Sequence, residues 1–196
     1  MKFFKIIFLF FCSFLLSQEK RDFKIGEILE LDSKILNEKR ILNINLPQEF
    51  NPQEKYDVIY LLDGSASEDF LHVSGLVQFF NLQFKMPKTI IVGIANIDRK
   101  RDFTFPTTIE NDKKAYPTTG SSEKFIEFLE KELLPFIDQK YKTTDKKYVI
   151  GQSLGGLLAS EILIKKPQLF NQSIITSPSF WWDDESLLKL AEEKVD

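Results

Sequence analysis

Histidine, cysteine and tryptophan are scarce in this sequence: its 196 residues hold one histidine, one cysteine and two tryptophans. One cysteine excludes an internal disulfide, and Cys12 with His72 is too small a set for a tetrahedral Cys/His zinc site. No cofactor or metal is expected. Basic residues are not in excess either, with 26 Lys and Arg against 29 Asp and Glu, a net charge of −3. A net-negative chain without a basic block is a poor partner for nucleic acid. The longest apolar run, Ile6 to Leu16, has eleven residues, whereas a bilayer-spanning helix needs about 20. Repeats, low-complexity tracts and Gly/Ser linkers are also lacking, which predicts one domain.

What stands at the N-terminus is a targeting pattern. Met1-Lys-Phe-Phe-Lys5 is short and basic, the apolar run follows, and Ser17 precedes the polar Gln18-Glu-Lys20. This is the layout of a secretory signal peptide. Phe10 and Phe11 are too bulky for a lipoprotein signal at Cys12. The expectation is a signal over 1–17 and a domain over 18–196, periplasmic or secreted, with no stable membrane insertion after cleavage. Cleavage removes Lys2, Lys5 and the cysteine, leaving 24 basic against 29 acidic side chains and a net charge of −5. Oligomeric state is not legible from the sequence.

Gly26–Leu31 and Arg40–Leu46 alternate polar and apolar residues, as half-buried strands do, and Asn37–Lys39 suits a turn between them. Val58–Leu62, Thr89–Gly93, Tyr148–Ile150 and, more weakly, Ser173–Thr176 are apolar on both faces, as in a parallel sheet covered by helices. Phe125, Ile126, Leu129, Leu133 and Ile137 recur at helical spacing over Ser122–Tyr141, with Pro135 predicted to kink or end the regular part. A second apolar helix over Leu154–Lys166 stops at Pro167. The order β-β-β-α-β-α-β-α-β predicts an α/β fold with a mostly parallel, mixed sheet and helices on both faces.

Directly after the fifth strand comes Gly151-Gln-Ser153-Leu-Gly155-Gly156. A G-x-S-x-G motif between strand and helix strains the serine backbone and lifts its Oγ clear of the sheet. Side chains two residues either side would collide, hence the glycines. The helix N-terminus favours negative charge, so the N–H of Leu154 is one expected oxyanion donor. A phosphate-binding junction is the alternative, but neither a G-x-G-x-x-G after the first strand nor a lysine after the last glycine is present. The second donor is expected from the loop after the third strand, at Gly64 or Ser65; an ordinary Asp63-Gly64 turn is the other reading of that segment.

Five segments in order carry a resemblance: Tyr60-Leu-Leu-Asp-Gly64; Ile94–Asp98 with Arg101-Asp102 and Phe105-Pro-Thr107; Glu132-Leu-Leu-Pro-Phe-Ile-Asp138; Gly151–Gly156; and Ser177-Pro-Ser-Phe-Trp-Trp182. Over about residues 25–190 the chain resembles the family of serine esterases that includes enterochelin (siderophore) esterases and esterase D. The resemblance implies an α/β-hydrolase fold with its last strands missing here. It also implies hydrolysis of a small-molecule ester through an acyl-serine at Ser153, without a metal. Trp181 and Trp182 leave the carboxyl end of a strand, where α/β sheets bind ligands, and are candidates for a substrate pocket. For Arg101 and Asp102 an internal ion pair is expected, and for Asp183 and Asp184 a solvated turn or helix cap.

A serine needs a base, and in this fold the order is Ser, Asp or Glu, then His. No histidine follows Ser153. His72 precedes it and is read as structural. The expected function is a carboxylic-ester hydrolase, inactive as this chain; the alternative is a non-catalytic ligand-binding pseudo-esterase.

Overall fold

The computed structural model describes residues 21–195; the apolar segment and the cleavage point near Ser17 lie outside the described residues. Six strands form one sheet: β1 (Glu27–Ser33), β2 (Glu38–Asn45), β3 (Tyr56–Leu61), β4 (Thr89–Ile94), β5 (Thr143–Gln152) and β6 (Gln172–Thr176), in the order β1-β2-β4-β3-β5-β6. The last four are mutually parallel, while β1 and β2 add as an antiparallel edge. Every residue of β3 and β4 is buried, the signature of a sheet covered on both faces.

The faces separate by the two-residue period of a strand. Val58, Tyr60, Ile90, Val92 and Ile94 join the larger core, with Phe128, Leu133, Ile137, Leu157 and Leu158. Ile59, Leu61 and Ile91 point the other way, onto Phe70 and Val77 of α1 (Phe70–Leu82). The other helices are α2 (Arg99–Phe103), α3 (Glu110–Ala115), α4 (Ser122–Phe128), α5 (Leu134–Lys140), α6 (Leu154–Lys165) and α7 (Ser186–Val195).

Three details depart from expectation. The β1–β2 turn covers residues 34–37, with Asn37 at φ 53°, and Glu38 already belongs to β2. Helix Ser122–Tyr141 is interrupted one turn before Pro135: α4 passes through a π-turn, Leu129–Leu133, into α5. Proline offers no N–H to the carbonyl four residues back and its ring crowds that turn, so widening by one residue accommodates it. The π-turn carries Glu132, whose carboxylate accepts the N–H groups of Lys34 (2.8 Å) and Ile35 (3.1 Å) and so closes the β1–β2 turn. Finally, α2, α3 and α7 add to the helices that the sequence predicts. The five-residue α2 has no room for an apolar period and exists through its cap, Asp98 accepting the Arg101 N–H at 3.0 Å.

Candidate active site

Ser153 occupies the sharp corner between β5 and α6 at φ 54°, ψ −117°. A non-glycine residue there carries about 1–3 kcal/mol of backbone strain and persists only where its surroundings fix it. They do: its N–H donates to Thr176 O (3.1 Å), and its carbonyl accepts from Leu157 N (2.9 Å) and Ser179 N (3.0 Å). A Cβ on Gly151 would lie 2.3 Å from Gly155 O, so that glycine is required by contact. Leu154 is the first residue of α6, and the N–H groups of a first helical turn have no acceptor within the helix. The elbow therefore places a hydroxyl beside a backbone N–H that has no acceptor within its own helix.

The other expected donors are engaged. Gly64 N–H donates to Ile94 O at 2.9 Å, just past the turn at Asp63 (φ 54°) that ends β3; a Cβ there would be 2.4 Å from Gly93 Cα. The glycine serves this close approach, and its N–H is engaged by the end of β4. Ser65 N–H donates to the Glu68 carboxylate at 3.1 Å. Partial burial pushes the Glu68 carboxyl up, but hydrogen bonds from Asn96 and Ser65 outweigh it and hold the group below the usual carboxylate range.

A network that no motif or period signals ties these loops to the elbow. Arg99 donates to both oxygens of Asp63 (Nε–Oδ1 2.6 Å, Nη2–Oδ2 2.9 Å) and to the carbonyl of Gln152 (3.2 Å), the residue before Ser153. Asn96 adds a bond to Asp63 at 2.6 Å. The Asp63 hydrogen bond raises the Arg99 pKa further above its usual value, so the arginine stays charged. Arg101 and Asp102 form the internal pair expected of them, within a larger cluster. Asp102 pairs with Arg40 (2.5 Å), both side chains 1% exposed, and Glu38 pairs with Arg40 and Arg101. The Arg40 guanidinium also lies 5.1 Å from the Phe125 ring centre.

The two tryptophans part company. Trp181 is 50% exposed and meets Tyr116. Trp182 is wholly buried and its indole N–H donates to Phe105 O at 3.0 Å, which makes it a packing residue rather than a pocket wall. Asp183 does more than turn the chain: it accepts from Thr107 Oγ1 (2.7 Å), Thr108 N (3.0 Å) and Ser186 Oγ (2.7 Å), pinning the segment before α3 to the start of α7. Asp184 is exposed and pairs with Lys189.

His72 is exposed on α1. The hydroxyl of Ser153 lies 3.2 Å from that of Ser179, and no hydrogen bond among the described residues joins it to His72. A cleft of about 680 Å³ opens elsewhere, between α1 and residues 23–25, and does not include Ser153. Among the described residues no helix is long and apolar enough to cross a membrane, and no group of three or more His, Cys, Asp or Glu could hold a metal ion.

Comparison with known proteins gives this geometry a context. Residues 33–194 match the family model described as "Putative esterase". The chain is 31% identical over 189 residues to the ferri-bacillibactin esterase BesA of Bacillus subtilis, covering 86% of this chain and 63% of that protein. The iron(III) salmochelin esterase of Escherichia coli is 23% identical over 175 residues, 87% of this chain and 39% of that one. Among solved structures, an IroE-like serine hydrolase from Shewanella oneidensis superposes with a TM-score of 0.79 at 35% identity, over 87% of this chain and 56% of the other. The BES protein of Bacillus cereus gives 0.78 at 28%, over 92% and 71%. The fold is of the α/β-hydrolase type.

Proposed function

The chain belongs to the esterase family matched over residues 33–194, and we propose that it carries the nucleophile of a serine carboxylic-ester hydrolase whose substrates are siderophore esters. The strained elbow carries this reading: Ser153 at φ 54° opens α6, with glycines where neighbouring side chains would collide. In the proposed reaction Ser153 Oγ attacks the ester carbonyl carbon and the negative charge forms on the carbonyl oxygen beside the Leu154 N–H. The alcohol then leaves, and water hydrolyses the acyl-serine. Trp181, half exposed and two residues beyond Ser179, is proposed as the aromatic surface for an acyl or aryl group. The substrate class is taken from relatives named as ferri-bacillibactin, salmochelin and enterobactin esterases. Export through residues 1–17 is part of the same proposal, and the intact mass of the secreted product checks it.

The proton of Ser153 needs an acceptor, and no histidine follows Ser153 in this sequence. The chain spans 63% of its Bacillus subtilis relative. We propose that these 196 residues bind and acylate slowly but turn over little. A ligand-binding protein without turnover is the second reading, favoured by the exposed position of His72. Labelling with a fluorophosphonate separates the core claim from failure: Ser153 is modified and Ser153→Ala is not. Modification at other residues alone refutes the nucleophile.

A further inference from the structure

A second serine reaches Ser153 from the loop after β6. Ser179 is 4% exposed, and its Oγ lies 3.2 Å from Ser153 Oγ. Its own backbone fixes it there: its N–H donates to Ser153 O at 3.0 Å, and its carbonyl accepts the Trp182 N–H at 3.1 Å. Trp182 in turn is wholly buried and anchored on Phe105. The segment passes so close to α6 that a Cβ on Gly156 would lie 3.0 Å from Pro178 Cα. The glycine after the G-x-S-x-G motif therefore makes room for this loop, which turns at Ser177 with φ 43°.

We propose that Ser179 is a positioning residue for the nucleophile: its hydroxyl donates to Ser153 Oγ and stabilises the charge that gathers there. The proposal rests on Ser153 being the nucleophile. At 3.2 Å between neutral hydroxyls the bond is long and weak. As Ser153 Oγ gains negative charge during attack the bond becomes charge-assisted, shorter and roughly twice as strong. The same holds when Oγ departs from the acyl carbon. An interaction stronger in the transition state than in the ground state lowers the barrier. Ser179 keeps its proton throughout. The proton of Ser153 passes to the base, which in this chain is solvent water or hydroxide, while the new O–C or O–P bond replaces the bond to the leaving group. Burial withholds Ser179 from water, so no reorganisation precedes its action.

Ser179→Ala deletes this hydroxyl and leaves both backbone contacts in place. With the 196-residue chain, the second-order rate of fluorophosphonate labelling at Ser153 should fall about tenfold in Ser179→Ala, at an unchanged melting temperature. Ser179→Thr, which keeps a hydroxyl, should recover most of the rate. A second readout needs no ester: in Ser153→Cys the thiol absorbance titration, corrected for Cys12 with the unsubstituted chain, should move up by about one unit when Ser179→Ala is added. Labelling at the original rate in Ser179→Ala overturns the proposal. So does slowed labelling with an unmoved thiol titration, which makes the role structural. Absence of any Ser153 labelling in the unsubstituted chain removes the nucleophile reading itself, whereas labelling that ignores Ser179 removes this inference alone.

Discussion

Gly151 and Gly155 meet across the elbow so closely that a methyl group on Gly151 would sit 2.3 Å from the Gly155 carbonyl oxygen. The contact is with backbone, which has no rotamer by which to yield. Gly151→Ala should therefore cost about 3 kcal/mol or more and lower the melting temperature by roughly ten degrees or more. Gly155→Ala meets a side-chain oxygen of Asp63 at 3.0 Å and should cost less. Thermal unfolding of the two variants checks the order.

The buried ion cluster sets a second expectation. Asp102→Asn removes one of the two carboxylates that pair with the wholly buried Arg40 and leaves Glu38, so it should cost less than the about 3–5 kcal/mol of a fully broken buried pair. Arg101→Gln removes a partner from the more exposed side, at 29% exposure, and should cost about 1 kcal/mol. Urea unfolding of both variants gives the comparison.

The tryptophans should respond oppositely. Trp182→Phe loses buried volume and the hydrogen bond to Phe105, for about 2–3 kcal/mol of stability. Trp181→Ala, half exposed, should leave the melting temperature within about two degrees and weaken binding of an aryl ester or catecholate. Calorimetric melting and fluorescence titration distinguish them.

Acid should loosen the contact between the segment before α3 and the start of α7. Partial burial pushes the Asp183 carboxyl up, but hydrogen bonds from Ser186 and Thr107 and the Thr108 N–H outweigh it and hold the group below its ordinary value of 3.8. The folded state then binds fewer protons than the unfolded one, so this stabilisation is complete above pH 3.8 and is lost as pH falls through the lower folded value. Asp183→Asn should melt below the unsubstituted chain at pH 6, and the gap should narrow by pH 3. A gap that widens in acid contradicts the assignment.

Much of this molecule is legible locally. Val58–Leu62 and Thr89–Gly93 read as parallel strands because both faces are apolar, and the elbow reads from its glycines because their spacing is dictated by one contact. What escapes is long-range. Arg99 meets Asp63 across 36 residues and Ser179 meets Ser153 across 26, and no period or motif links either pair. Gly64 shows a different limit. A glycine that frees an N–H for a ligand and one that lets two strands close together look alike in sequence, and here the 2.9 Å bond to Ile94 decides for the second. Pro135 correctly signals a disturbed helix, but the widened turn falls before it, where its missing N–H is felt.

The most direct test of the account follows acetyl transfer from p-nitrophenyl acetate to the 196-residue chain by peptide mass spectrometry, alongside release of nitrophenol. Losing the histidine costs subtilisin about 10⁶ in kcat, so the expected result is slow acetylation confined to Ser153, almost no sustained turnover, no acetyl at that site in Ser153→Ala, and an unaltered rate in His72→Ala. Rapid sustained turnover that His72→Ala abolishes, or acetylation that persists in Ser153→Ala at the same rate, would contradict it.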